Sequence, residues 1–153
     1  MRYLIDTDVI SYLSDQESPY HKNVISHLSS LLDNDAESVS ILTIYEKQYG
    51  ITHAKTQDTR DRLQKEFDIF FDEDVERLHL SEEGAKIFAV IKDCYQKYTG
   101  ITDKANKKNT VDFIIAATAI DSGAVLAYND SIYEAIVQAS SEIYDLKIEK
   151  WTQ

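Results

Sequence analysis

Tyr3-Leu4-Ile5-Asp6-Thr7-Asp8-Val9-Ile10 is the stretch whose reading decides the fold. Its apolar run, Tyr3 to Ile5, is short, unbroken and does not alternate, the pattern of a strand buried on both faces. Two aspartates follow at once. In sheets of this kind ligands gather at the carboxyl ends of the strands, where Asp6 and Asp8 would stand. Ala124-Val125-Leu126-Ala127 repeats the pattern and leads into Asn129 and Asp130. Both runs are expected to be central parallel strands, and Val39-Ser40-Ile41-Leu42 resembles them. Val75 to Leu80 and Leu146 to Trp151 instead alternate apolar with charged residues, which predicts half-exposed edge strands.

Between these runs the period becomes helical. Val24, Ile25, Leu28, Leu31 and Leu32 form one stripe, Leu63, Phe67, Phe70 and Phe71 another, and Ile87, Phe88, Ile91, Tyr95 and Tyr98 a third. Tyr95 and Tyr98 are therefore counted as core. Val111 to Ile120 is apolar almost all round, Asp112 being its only charge, as a helix packed deep against a sheet should be. Alternating strands and helices predict an α/β fold with a mainly parallel sheet. At 153 residues, 43% of them hydrophobic, one domain spanning 1–153 is expected, without a disulfide or metal staple.

No apolar run reaches the ~18–20 residues of a membrane span, and no signal-peptide pattern opens the chain. Cys94 is the only cysteine, which fits a reducing compartment, and the cytoplasm is expected. Sixteen basic residues against 27 acidic ones give a formal charge of −11, so a tightly bound partner should be basic.

The acids fall in a pattern. Asp6 and Asp8, Glu46, Asp112, and Asn129 with Asp130 lie on four separate segments that could converge. Each has a plain structural explanation. Thr43 and Glu46 have the spacing of a capping box, Asp112 suits the positive end of its helix behind Asn109 as N-cap, and Asp6, Asp8 and Asp130 could also be caps. Capping does not require several charges to point at one location, however. Two unit charges ~4 Å apart repel by about 4 kcal/mol at an effective dielectric of 20. Clustered carboxylates therefore call for a cation, and all-oxygen ligands select magnesium or manganese. Such ions typically act on phosphates. His21, His27, His53 and His79 show no metal-binding spacing. Lys104, Lys107 and Lys108 precede Asp112 and, with Lys47 or Lys55, could grip a phosphate backbone.

In these motifs the chain resembles the PIN-domain family, and within it the VapC-type ribonuclease toxins. Tyr3 to Ile10 resembles the strand ending in the first catalytic acid, Asp6. Thr43-x-x-Glu46 with Tyr49-Gly50-Ile51 resembles the second motif, Asp112 to Ala119 the third, and Leu126 to Tyr133 the fourth. Leu146 to Trp151 looks like the closing strand. The resemblance implies a five-stranded parallel sheet between helices, with residues from about 60 to 98 as a protruding helical pair. It also implies metal-dependent RNA cleavage through a metal-activated water and frequent homodimerisation. A cognate antitoxin with a basic DNA-binding region is the expected protein partner. Asp6, Glu46 and Asp112 would bind the ion, Asn129 or Asp130 would complete the shell, and Thr7, Asp8 and Thr43 would stand behind.

One departure is evident. Ala127-Tyr128-Asn129 stands where the family usually has threonine, any residue, then Asp or Asn, so the fourth position is a neutral amide that Asp130 could replace. A degenerate module that binds RNA or a partner without cutting is the first alternative. A haloacid-dehalogenase-like phosphatase with Asp6 as nucleophile is the second, because the opening motif also resembles that family's.

Overall fold

A computed structural model describes residues 1–72 and 74–153. Its strands are β1 (Arg2–Ile5), β2 (Ala36–Ser40), β3 (Glu76–Leu78), β4 (Val125–Tyr128) and β5 (Ile148–Lys150). Its helices are α1 (Thr7–Ser14), α2 (His21–Ser29), α3 (Ile41–His53), α4 (Gln57–Phe70), α5 (Glu82–Thr99), α6 (Asp103–Lys107), α7 (Thr110–Ser122) and α8 (Ile132–Ser140). The sheet runs β3-β2-β1-β4-β5 with every neighbouring pair parallel, so β1 lies at the centre and β3 and β5 at the edges. This is the α/β architecture that the strand patterns predict. Among the described residues no helix is long and apolar enough to cross a membrane.

The unbroken apolar runs are explained by two cores, one on each face. Successive side chains of a strand point to opposite faces. Leu4, Leu126 and Tyr128 accordingly enter a core with α5, α7 and α8, while Tyr3, Ile5, Val125 and Ala127 enter another with α1, α2 and Trp151. α7 owes its apolar circumference to this position, with Phe113 and Ile115 to Ala119 buried. Gly123, at φ 66°, ends it in the left-handed conformation that glycine adopts without strain. The last residues close the second core, where Trp151 is buried against Tyr3 and stacks on His27.

The structure corrects several expectations. The third apolar run splits, since β2 ends at Ser40, whose hydroxyl accepts the Leu42 amide at 3.2 Å and opens α3, so Ile41 and Leu42 are helical. Thr43 and Glu46 therefore sit inside a helix and form no capping box. The stretch from 60 to 98 divides: α4 packs on α3, while α5 lies against α7 and α8 with Ile87 and Ile91 in the core. Tyr98 is not core, being 56% exposed, although Tyr95 packs edge-on against Phe113. In the first helical stripe Ile25 is exposed on α2, and Leu32 is exposed because α2 ends before it at Ser29.

The placement of α5 separates two substitutions in urea denaturation. Ile91→Ala should lower stability by about 2–5 kcal/mol, whereas Tyr98→Ala should change it by no more than about 0.5 kcal/mol.

Candidate active site

The parallel topology brings the carboxyl end of β1 beside those of β2 and β4, and the acids that follow these strands meet there. Asp6 occupies the N-cap position of α1, yet its side chain caps nothing. It is 5% exposed and accepts a hydrogen bond from the Tyr133 hydroxyl at 3.0 Å. Asp112, in the first turn of α7, approaches the same hydroxyl at 3.4 Å through Oδ1. A phenol has one proton to give, so the two carboxylates share one donor. Tyr133 itself is fully buried.

Around this pair lies an open cleft of about 380 Å³, lined by Asp6, Thr7, Asp8, Glu46, Tyr49, Val111, Asp112 and Ile115. Glu46 projects from the second turn of α3 and accepts from the Thr7 hydroxyl at 2.7 Å. That commits the Thr7 proton, so buried Thr43, 3.0 Å away, donates to Thr7 in turn. The two threonines thus orient Glu46. Asp8 stands exposed on the lip and contributes charge to the cleft.

The electrostatics are those of crowded negative charge. Burial pushes Asp6 up to about 7; the Tyr133 hydrogen bond opposes this, and Asp8 and Asp112 add to it. Asp112 rises to about 6 through burial and then Asp130, with Asp8 and Glu46 adding and the Tyr133 bond opposing. Asp8 is raised by burial and by Asp130, and Lys47 counteracts. Burial pushes the Tyr133 phenol well above its ordinary value, with Asp6 and Asp112 reinforcing the shift. Asp130 is used in two ways. Its Oδ1 accepts the Ile132 amide at 3.0 Å, as a turn-capping aspartate does, while its charge bears on Asp8 and Asp112.

Asn129 is committed elsewhere, its Nδ2 donating to the Tyr12 hydroxyl at 3.2 Å and its Oδ1 accepting from Thr152 at 2.8 Å. Both polar atoms of the neutral amide thus tie the end of β4 to α1 and the C-terminal segment. Lys47 is half-buried and donates to Ser11 Oγ at 2.6 Å, in a cleft that continues past Glu46 between α1 and α4. Burial lowers its pKa while Glu66, Asp8 and Glu46 raise it. Lys104, Lys107 and Lys108 are exposed on α6 and at its end, and none lines the acid cleft. Tyr133 is the residue that sequence reasoning missed. It lies within the fourth motif, but only the packing of α8 turns its hydroxyl onto acids 127 and 21 residues away.

No group of three or more His, Cys, Asp or Glu among the described residues is placed to hold a metal ion. Magnesium, however, usually keeps several waters and takes only one or two protein carboxylates together with substrate phosphates. The Asp6 and Asp112 pair offers that donor set: hard oxygens, partly desolvated, mutually repelling and served by one shared hydroxyl.

Comparison with known proteins agrees with this fold. The PIN domain family model matches residues 3–138. The chain belongs to the PIN-domain family. Ribonuclease VapC2 of Rickettsia felis is similar at 25% identity, over 99% of this chain and 98% of that protein. Among solved structures, VapBC-1 from nontypeable Haemophilus influenzae aligns with a TM-score of 0.73 at 23% identity over 100% of both chains. VapBC2 from Rickettsia felis, bound to a promoter DNA fragment, aligns with a TM-score of 0.70 at 21% identity, over 97% of this chain and 98% of that one. FitAcB from Neisseria gonorrhoeae gives a TM-score of 0.69 at 22% identity, over 97% of each.

The raised carboxyls fix the sign of a pH effect. Acids with folded pKa values above their unfolded ones bind more protons when folded, so stability falls as pH rises from about 4 to about 7. In EDTA the melting temperature should decline over that range. Asp112→Asn should flatten the decline and raise the melting temperature at pH 7.5; a steeper decline would contradict the assignment. Tyr133→Phe removes the donor and should cost the metal-free protein about 1–3 kcal/mol at pH 7.5, measured in denaturant.

Proposed function

We propose that the protein is a metal-dependent endoribonuclease and the toxin of a toxin–antitoxin pair. The observation that carries this reading is the convergence of Asp6 and Asp112 on one buried hydroxyl, with Glu46, Asp8 and Asp130 bearing on the same place. Asp6 and Asp112 would hold a magnesium or manganese ion. Glu46, steadied by Thr7, and Asp130 would complete its surroundings, and Asn129 would stay in its structural role. Such an ion supplies a Lewis acid for the phosphodiester and lowers the pKa of an attacking water. The chain's own part is to hold the carboxylates in place, crowded and partly desolvated so that a cation relieves them, and to keep Tyr133 neutral as their donor.

Two findings support the toxin part. The named relatives are a ribonuclease VapC2 and chains of VapBC and FitAcB structures, each matched over 97% or more of its length. A second groove, about 770 Å³, runs beside α1, α2 and α4, lined by half-buried Leu13, Leu28 and Phe70, by exposed Ile69, and by the acids Asp35, Glu37, Glu66, Asp72 and Asp74. An amphipathic basic segment of an antitoxin suits that surface. The groove shares Ser14, Glu66 and Phe70 with the Lys47 cleft, which in turn shares Thr7 and Glu46 with the acids. A partner seated there would reach the site. The phosphatase alternative loses its footing because the PIN domain family model matches residues 3–138, the opening motif with Asp6 included.

Purified protein incubated with end-labelled structured RNAs should cut them in manganese or magnesium and not in EDTA. Asp6→Asn, Glu46→Gln and Asp112→Asn should each reduce the rate by at least ~100-fold, on the scale of losing one charge-stabilising group from a catalytic site, while circular dichroism shows the fold retained. Equal cutting by wild type and Asp112→Asn would identify a contaminant. RNA binding without turnover would favour the degenerate module.

A further inference from the structure

Helix α3 carries more than Glu46. One turn beyond it stands Tyr49, 67% exposed although it lines the acid cleft, and one turn further stands His53, also exposed. Their rings lie nearly parallel, 14° apart with centroids at 5.2 Å. Tyr45, 68% exposed, continues the same four-residue stripe on the other side of Tyr49. Exposed aromatic rings in succession are costly to leave in water and useful where bases must be stacked.

The charge around the stripe is equally local. From Lys47 to Gln57 the chain has no aspartate or glutamate, in a protein with 27 of them, while Lys47, His53 and Lys55 fall within it. Just past the end of α3 the Arg60 guanidinium is pinned by the Ala54 carbonyl at 3.0 Å and by Gln57 Oε1 at 3.1 Å. A fixed cation and an exposed lysine thus flank the far end of the aromatic row. Aromatic faces beside basic groups, running out from a phosphate-cleaving centre, make the combination by which single-stranded nucleic acid is held without base-edge readout.

We propose that the Tyr49–His53 face of α3 is a stacking subsite for unpaired bases of the RNA, adjoining the cleft where Asp6 and Asp112 would hold the ion that meets the scissile phosphate, with Lys55 and Arg60 receiving the backbone beyond. This rests on the ribonuclease reading above. It makes the substrate a single-stranded segment whose bases are splayed outward, since a paired base has no free face for Tyr49. Stacking is tolerant of base identity, so the subsite selects unpaired structure before sequence.

The test uses the full chain carrying Asp112→Asn to suppress cutting, and a short single-stranded oligoribonucleotide with 2-aminopurine in place of one base. Stacking on an aromatic ring quenches that fluorophore. Binding should quench it, and adding Tyr49→Ala should abolish the quench and weaken binding roughly tenfold or more. Tyr49→Phe, which keeps the ring and loses the hydroxyl, should retain both. In the otherwise wild-type chain Tyr49→Ala should raise KM and leave kcat within about twofold, and a pre-formed duplex of the same sequence should compete poorly.

Unchanged quench and KM in Tyr49→Ala would overturn the subsite while leaving the ribonuclease standing. So would a change confined to the sedimentation of the protein, which would make this face a contact between copies of the chain. A wild-type protein that neither cuts nor binds the oligonucleotide would instead remove the ribonuclease reading, and the subsite with it.

Discussion

Everything at the functional end of this molecule is arranged around a carboxylate held out of water beneath a phenol. Asp6 follows the central strand so closely that its own amide still bonds to the Ala127 carbonyl of β4 at 3.0 Å. It cannot move toward solvent without disturbing the middle of the sheet. The Tyr133 hydroxyl is what makes this burial tolerable, and the same hydroxyl fixes where Asp112 lies. One hydrogen-bond donor therefore couples β1, α7 and α8, elements that lie far apart in the chain.

The arrangement opposes stability in order to hold charge. The pair's raised pKa values mean that near neutral pH the folded protein must ionise groups that its interior disfavours. Among the described residues the closest built-in relief is Lys47, which feels Asp8 and Glu46 but gives its hydrogen bond to Ser11. Strain of this kind is characteristic of sites whose ligand completes the charge balance. The two deep cores provide for it: Tyr3, Leu4 and Ile5 of β1 and every side chain of β4 are buried in one core or the other, so the strand ends are rigid where the acids leave them.

Much of the fold is legible in the sequence because buried strands and amphipathic helices leave periodic signatures. The unbroken runs at Tyr3 and Ala124 become the central strands, the alternating runs near Val75 and Leu146 become edges, and the apolar circumference of 111 to 120 becomes the buried helix. Boundaries are less legible. Nothing in Val39 to Leu42 marks the point at which a strand becomes a helix, because both states bury those side chains; the Ser40 cap decides it. Tyr98 fits an apolar stripe by spacing, yet the stripe outruns the surface that covers it, leaving the ring in solvent.

The acids divide in the same way. Order along the chain, each acid following a strand or opening a buried helix, is a one-dimensional property, and it singles out Asp6, Glu46 and Asp112. Which neighbour supports them is not. The ambiguity between Asn129 and Asp130 turns on where one turn faces, and the structure commits the amide to Tyr12 and Thr152 while leaving the Asp130 charge among the acids. Tyr133 and the Tyr49–His53 row depend on helix rotation and packing, which set hydroxyl and ring positions to within ångströms. Sequence alone determined an α/β sheet with acids at its strand ends, because burial and periodicity act locally along the chain. Only tertiary structure decided which donor those acids share and which rings stand beside them, because contacts between distant segments fix those positions.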